Sequence, residues 1–98
     1  MELEKYIKHV VGDNTCNLFL FALSTCIWCR KTKALLNDLG VEYSYVDVDL
    51  LEGEARSEAV EQMEKWDSSG SFPLLVKDNA EVVRGFKENQ IRRLLGVE

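Results

Sequence analysis

Apolar residues recur along this chain with two periods, and the switches between them mark its elements. Leu3, Tyr6, Ile7, Val10 and Val11 fall at i, i+3, i+4, i+7 and i+8 with Glu and Lys between them, which predicts a short amphipathic helix over residues 2–11 with Gly12 as its C-cap. Asp13-Asn14-Thr15 then reads as a turn. The run Asn17 to Leu23 is apolar without alternation, as expected of a strand buried on both faces. Ser24 and Thr25 offer hydroxyl caps for a helix over residues 27–39, in which Cys29, Thr32, Leu35, Leu36 and Leu39 form the inward stripe and Gly40 is the stop. Residues 41–48 are rich in β-branched and aromatic side chains and predict a second strand, parallel to the first if the helix between them is a crossover.

Asp49 to Gly53 reads as a polar loop. It leads into a helix with Ala55, Ala59, Val60, Met63 and Trp66 on one face and Glu58, Glu61, Gln62 and Lys65 on the other. Asp67-Ser68-Ser69-Gly70 breaks that helix. Residues 71–77, an Asp78-Asn79 turn and residues 80–84 predict a hairpin, with Pro73, the one proline, at the start of a strand. Gly85 interrupts the pattern, and Ile91, Leu94 and Leu95 mark a last helix from about Lys87. The expected order is α-βαβ-α-ββ-α, an α/β fold with a mixed four-stranded sheet flanked by helices and an extra helix at the N-terminus.

Composition narrows the functional classes. Ninety-eight residues, 46% of them hydrophobic, suit a single domain over 1–98. A formal net charge of −5 and a pI near 4.9 speak against general nucleic-acid binding and favour a protein partner with a basic face. The opening residues Met1 to Lys5 lack an apolar signal region, and no stretch approaches the roughly 18 apolar residues that span a bilayer, so no membrane contact and a cytoplasmic location are expected. Three cysteines do not suit a disulfide framework. A structural zinc would need four ligands, and beyond Cys26 and Cys29 the chain offers only Cys16 and His9, so no metal is expected.

The candidate chemistry lies in Cys26-Ile27-Trp28-Cys29. Cys29 falls on the inward stripe of its helix, whereas Cys26 falls at or beside the N-cap, where backbone N–H groups are unpaired. One sulfur should therefore be exposed and the other covered. The thiolate is the nucleophile in disulfide exchange, and a free thiol of pKa ~8.5 supplies little of it at neutral pH. The helix dipole and the cations Arg30, Lys31 and Lys33 should lower the Cys26 value, although cations at a helix start cost about 0.3–1 kcal/mol each. Cys26 is thus the expected nucleophile and Cys29 the resolving thiol. Trp28 can be read as a docking surface beside the exposed sulfur or as helix packing. Cys16, just before the buried strand, reads as an inert core or edge thiol.

Thr25 to Cys29 after a strand, the βαβ unit around it, Ser71-Phe72-Pro73 opening a hairpin, and Gly85-Phe86 before the final helix together resemble glutaredoxins and glutaredoxin-like redoxins of the thioredoxin fold. The resemblance implies a thiol-disulfide oxidoreductase acting on disulfide-containing proteins. It also implies a cis Pro73, pairing of the Phe72 backbone with substrate, and substrate binding by Trp28, Phe72, Pro73, Gly85 and Phe86. No tightly bound cofactor is implied, and glutathione is a candidate co-substrate. Glutaredoxins commonly have Pro-Tyr between the cysteines, a Lys three residues before the first, and Gly-Gly then Asp near the last helix. Here Ile27-Trp28, Leu23 and the run Arg84 to Asn89 stand in those places. The Gly-Phe-basic run looks more like redoxins served by a thioredoxin-type reductase, so the electron donor is open between such a reductase and a low-molecular-weight thiol. A monomer is expected. Two other readings remain: an iron–sulfur carrier holding a cluster through Cys26 of two copies, and a thioredoxin-fold binding module whose cysteine pair is idle.

Overall fold

The computed structural model describes residues 2–14 and 16–97, so Thr15 of the predicted turn lies outside the described residues. Eight regular elements follow in order: β1 (Lys8–Val10), β2 (Leu18–Ala22), α1 (Ile27–Asp38), β3 (Tyr43–Asp47), α2 (Gly53–Glu64), β4 (Leu74–Lys77), β5 (Glu81–Arg84) and α3 (Glu88–Leu95). Single 3-10 turns precede β1 (Leu3–Tyr6) and follow β3 (Val48–Leu50). The five strands form one sheet in the order β1-β3-β2-β4-β5. β2 runs parallel to β3, with Leu20 opposite Tyr45, and antiparallel to β4, with Leu20 opposite Leu75.

The non-alternating run 17–23 has the cause its sequence suggested, because β2 is buried on both faces. Leu18, Leu20 and Ala22 point into a cluster with Cys29, Leu35, Leu36 and Ile91 from α1 and α3. Phe21 and the half-buried Phe19 point the other way, toward Ala55, Ala59 and Met63 of α2. The alternation of side chains along a strand thus feeds two cores from one stretch. The predicted parallel crossover from β2 through α1 to β3 is present.

The N-terminus departs from expectation. No helix covers residues 2–11: a 3-10 turn is followed by β1, which pairs antiparallel with β3 through Lys8–Tyr45, His9–Ser44 and Val10–Tyr43. The sheet therefore has five strands where the pattern predicted four. Leu3 is buried against α2 and Val10 packs on the opposite cluster, while Tyr6 and Val11 are 48% and 83% exposed. The five apolar residues thus have no common face, and a short isolated helix gains too little to compete with an open strand edge. His9 completes the edge, its Nδ1 2.9 Å from Ser44 Oγ and its Nε2 3.2 Å from Glu42 Oε2.

Gly12 is not a helix cap. The segment it opens is laid against the α1–β3 connection, where Asp13 N–H donates to Gly40 O at 2.7 Å and Glu42 N–H donates to Asp13 O at 2.9 Å. A Cβ at residue 12 would lie 2.7 Å from Gly40 O and 2.8 Å from Val41 O, both backbone atoms. Gly12→Ala should therefore cost about 1–3 kcal/mol, as overpacking against rigid neighbours does. Chemical denaturation would show this as a lowered midpoint, and an unchanged midpoint would mean that the segment lifts away freely.

Smaller differences have local causes. The predicted loop 49–53 is overlapped by the 3-10 turn Val48–Leu50 and holds a buried Leu51, 2% exposed, which belongs to the α2 core. Val60, assigned to the apolar face of α2, is exposed. Ser24 does not cap α1, since its N–H and hydroxyl both go to the Asp49 carboxylate and Cys26 itself is the N-cap. The hairpin turn at Asp78 and Asn79 has φ of 51° and 54°, values that Asp and Asn tolerate better than most residues.

Candidate functional site

The site forms where the parallel strands β2 and β3 end, at the start of α1. Cys26 has φ −84° and ψ 120° and caps the helix with its own sulfur, which accepts the Cys29 N–H at 3.3 Å. Its backbone is held as well: Cys26 N–H donates to Leu23 O at 3.2 Å and Arg30 N–H donates to Cys26 O at 3.1 Å. Cys29, one helical turn on, is fully buried, and its sulfur accepts the Leu23 N–H at 3.4 Å. Cys26 is half-buried and both thiols are free.

The pKa values of the two thiols are shifted in opposite directions. Desolvation raises the Cys26 thiol, but hydrogen bonds from the Cys29 side chain and from the Cys29 and Trp28 N–H groups outweigh it, and its pKa falls below the ordinary thiol value. Cys29 is pushed up to about 12, first by burial and then by the hydrogen bond and charge of Cys26, with Leu23 N–H and the Lys33 charge in partial opposition. A raised pKa means that the folded protein holds a proton which the unfolded chain releases. This contribution to stability is complete below the unfolded thiol's pKa and is lost as pH rises from there toward about 12. The lowered Cys26 value acts with opposite sign at lower pH. Thermal stability should therefore drop between about pH 9 and pH 11, and Cys29→Ala should flatten that part of the profile. A profile identical in the two proteins would contradict the burial argument.

Two acid-bearing contacts frame the pair, and neither was anticipated. Asp49 Oδ1 and Oδ2 accept the N–H and hydroxyl of Ser24 at 2.8 and 2.5 Å, which fixes the loop entering Cys26 and lowers the Asp49 pKa. Lys33, one turn beyond Cys29, makes a 3.0 Å ion pair with Asp47 and lies 4.2 Å over the Tyr45 ring. Parallel pairing of β2 with β3 brings Asp47 opposite Ala22, so both aspartates reach the end of the sheet that carries the cysteines. The βαβ pattern held that signal, since a crossover puts the C-terminal ends of both strands together.

The β4–β5 hairpin and the segments at its two ends carry the other predicted site residues, Phe72, Pro73, Gly85 and Phe86. The Phe72–Pro73 peptide bond is cis, as the resemblance implied, and Pro73 is fully buried. Pro73 O accepts the Gly85 N–H at 2.8 Å, tying the two predicted binding segments together. A polar chain anchors the approach to them: Arg84 Nη2 donates to Trp66 O at 2.6 Å and its Nε lies 3.9 Å from Asp67 Oδ2. Asp67 Oδ1 accepts the Ser69 N–H and hydroxyl, and Ser69 Oγ is 2.8 Å from Ser71 Oγ. Cys26, Phe72 and Phe86 all pack against the cluster that contains Cys29. Trp28 stacks on Phe86 with centroids 6.0 Å apart and planes 22° apart, while remaining 51% exposed. Arg30 and Lys31 are exposed, and Lys31 Nζ lies 4.7 Å over the Trp28 ring.

Other features lie apart from this site. Cys16 is partly buried against the α1 side of the sheet. A groove of about 380 Å³, lined by Leu3, Ile7, Phe19, Trp66 and Val76 among others, opens on the α2 side and includes none of the site residues. Among the described residues, no three His, Cys, Asp or Glu side chains come together as a metal site, and no helix is long and apolar enough to cross a membrane.

A five-stranded mixed sheet with a Cys-x-x-Cys pair at the start of the crossover helix and a cis proline opening the β4–β5 hairpin defines an α/β protein of the thioredoxin-like class. The chain belongs to the glutaredoxin family, whose model matches residues 18–82. It is similar to a glutaredoxin from Methanosarcina mazei Go1, with 45% identity over 93% of this chain and 88% of that one and a TM-score of 0.86. Similarity to methanoredoxin from Methanosarcina acetivorans is comparable, with 47% identity, coverage of 87% and 90%, and a TM-score of 0.83. A glutaredoxin from Archaeoglobus fulgidus shares 30% identity over 84% of this chain and 88% of that one, with a TM-score of 0.76. No curated protein matches significantly. The Cys26–Cys29 pair is consistent with the family's Cys-x-x-Cys active site.

Proposed function

We propose that the whole chain acts as one domain that reduces protein disulfides through Cys26 and Cys29. The observation that carries this reading is the asymmetry of the two thiols, one half-exposed with a lowered pKa and one fully buried with a raised pKa. The Cys26 thiolate attacks one sulfur of a target disulfide, which forms a Cys26–target disulfide and releases the other target sulfur as a thiolate that takes a proton. Cys29 then gives up its proton and attacks the Cys26 sulfur, closing the Cys26–Cys29 disulfide and releasing the second target thiol. Two electrons pass to the target, and a reductant must return two.

The high Cys29 pKa suits this order. A resolving thiol that stays protonated leaves Cys26 as the attacking group in the free protein. Phe72 and Pro73 form the wall along which the target backbone lies, Gly85 supports that wall, and Trp28 and Phe86 flank it. Leu23 and the Arg84 to Asn89 run supply no counterpart to the common glutathione contacts, so the reading favours a thioredoxin-type reductase as electron donor. The test mixes the pre-reduced protein with an insulin disulfide and then compares turnover driven by glutathione with its reductase and by a thioredoxin reductase. Stoichiometric reduction, with faster turnover from the thioredoxin reductase, is expected. No reduction by the pre-reduced protein refutes the oxidoreductase reading, and robust turnover with glutathione alone refutes the choice of donor.

A further inference from the structure

The surface around Cys26 differs in charge from the rest of the molecule. The chain carries a net charge of −5, and α2 presents Glu54, Glu58, Glu61 and Glu64 against Arg56 alone. At the cysteines the balance reverses. The first turn of α1 has no acid, Arg30 and Lys31 stand exposed in its first two turns, and Lys87 is exposed and follows Phe86 in the chain. Of the acids in the adjoining segments, Glu88 is paired with Arg92 at 2.9 Å, while Asp49, hydrogen-bonded to the neutral Ser24, keeps its negative charge and leaves the three cations in excess.

Within this cationic rim lies an apolar platform. Ile27 is 60% exposed and Trp28 51% exposed, and the Trp28 ring is held in place by stacking on Phe86 and by Lys31 above it. Such a fixed, half-exposed aromatic pair can take an apolar side chain with little loss of its own conformational freedom. Arg30, Lys31 and Lys87 around it favour carboxylates and disfavour amines.

We propose that this rim selects targets whose disulfide lies in a segment carrying an apolar residue and one or more Asp or Glu beside the cysteine. The inference rests on the dithiol reading and names the substrate class for it. It also replaces the basic partner suggested by net charge with an acidic one, because the docking partner meets the local surface and charges beyond about 10 Å are screened at ordinary salt.

The test uses single-turnover reduction of two disulfide peptides by the pre-reduced protein, so that no external donor enters. The peptides share a leucine beside the disulfide and differ only in flanking Glu or Lys residues. The acidic peptide should react about fivefold faster at low ionic strength, and the ratio should approach one in high salt. Arg30→Glu combined with Lys31→Glu should invert the ratio. These acids suit the start of a helix, so the variant is expected to fold, and any effect on the Cys26 thiolate slows both peptides alike and leaves the ratio intact. Equal rates for the two peptides, or a ratio unmoved by the double substitution, overturn the charge selection while the dithiol reading stands. Failure to reduce either peptide, or insulin, overturns both.

Discussion

Cys26→Ser should lower disulfide reduction by about three orders of magnitude or more, the scale on which removal of an activated nucleophile acts. The loss follows from what the other thiol lacks. Cys29 is 0% exposed, its pKa stands at about 12, and its sulfur is turned to the Leu23 N–H, so it can neither reach a target nor supply thiolate at neutral pH. A serine at position 26 still accepts the Cys29 N–H, since N-cap serine is among the best caps, and the fold should keep its stability. Retained circular dichroism with lost reduction of insulin or of a small disulfide would meet the prediction. Residual activity within about tenfold of the parent would show that Cys29 can act alone.

Leu20→Ala should have the largest effect on stability, about 2–5 kcal/mol, the range for a buried leucine whose cavity cannot close. Leu20 is 0% exposed at the middle of the central strand, between Tyr45 on β3 and Leu75 on β4, and it lies in the cluster that holds Cys29. Strands on both sides and α1 above limit relaxation. Small domains are stable by only about 5–15 kcal/mol, and each kcal/mol lost moves the melting temperature of a chain this size by roughly 4–8 °C. The urea midpoint should fall at nearly constant slope. A loss below about 1 kcal/mol would mean that the sheet collapses into the space, contrary to a core packed from both faces.

The parts legible in the sequence are those in which one local rule decides. The uninterrupted apolar run of β2, the helical stripe through Cys29 and Leu36, and the Gly stop at residue 40 each had a single reading. The same stripe placed one sulfur inside and the other at the helix start. The N-terminal segment misled because Leu3, Ile7 and Val10 fit a helical period while packing on two different clusters, a distinction made by the free edge of β3 that no local window contains. Gly12 misled for a related reason: its requirement is a close approach to Gly40 and Val41 rather than a helix end. The ion pair of Lys33 with Asp47 and the clasp of Arg84 on Trp66 and Asp67 join residues far apart in the chain, and only tertiary geometry brings them to the site. The hydroxyl of Ser24 was free to cap α1 in the sequence but is taken by Asp49, which leaves the Cys26 sulfur to accept the N–H that helps lower its pKa.

The division of labour between the two sulfurs is the claim on which the rest depends. It is tested most directly by incubating Cys29→Ser and Cys26→Ser, each reduced beforehand, with the same disulfide protein and locating any mixed disulfide by peptide mass. Cys29→Ser should accumulate an adduct on Cys26, because the thiol that would release it is missing, and Cys26→Ser should accumulate none. An adduct through Cys29 in the Cys26→Ser protein, with none on Cys26 in the other, would contradict the assignment.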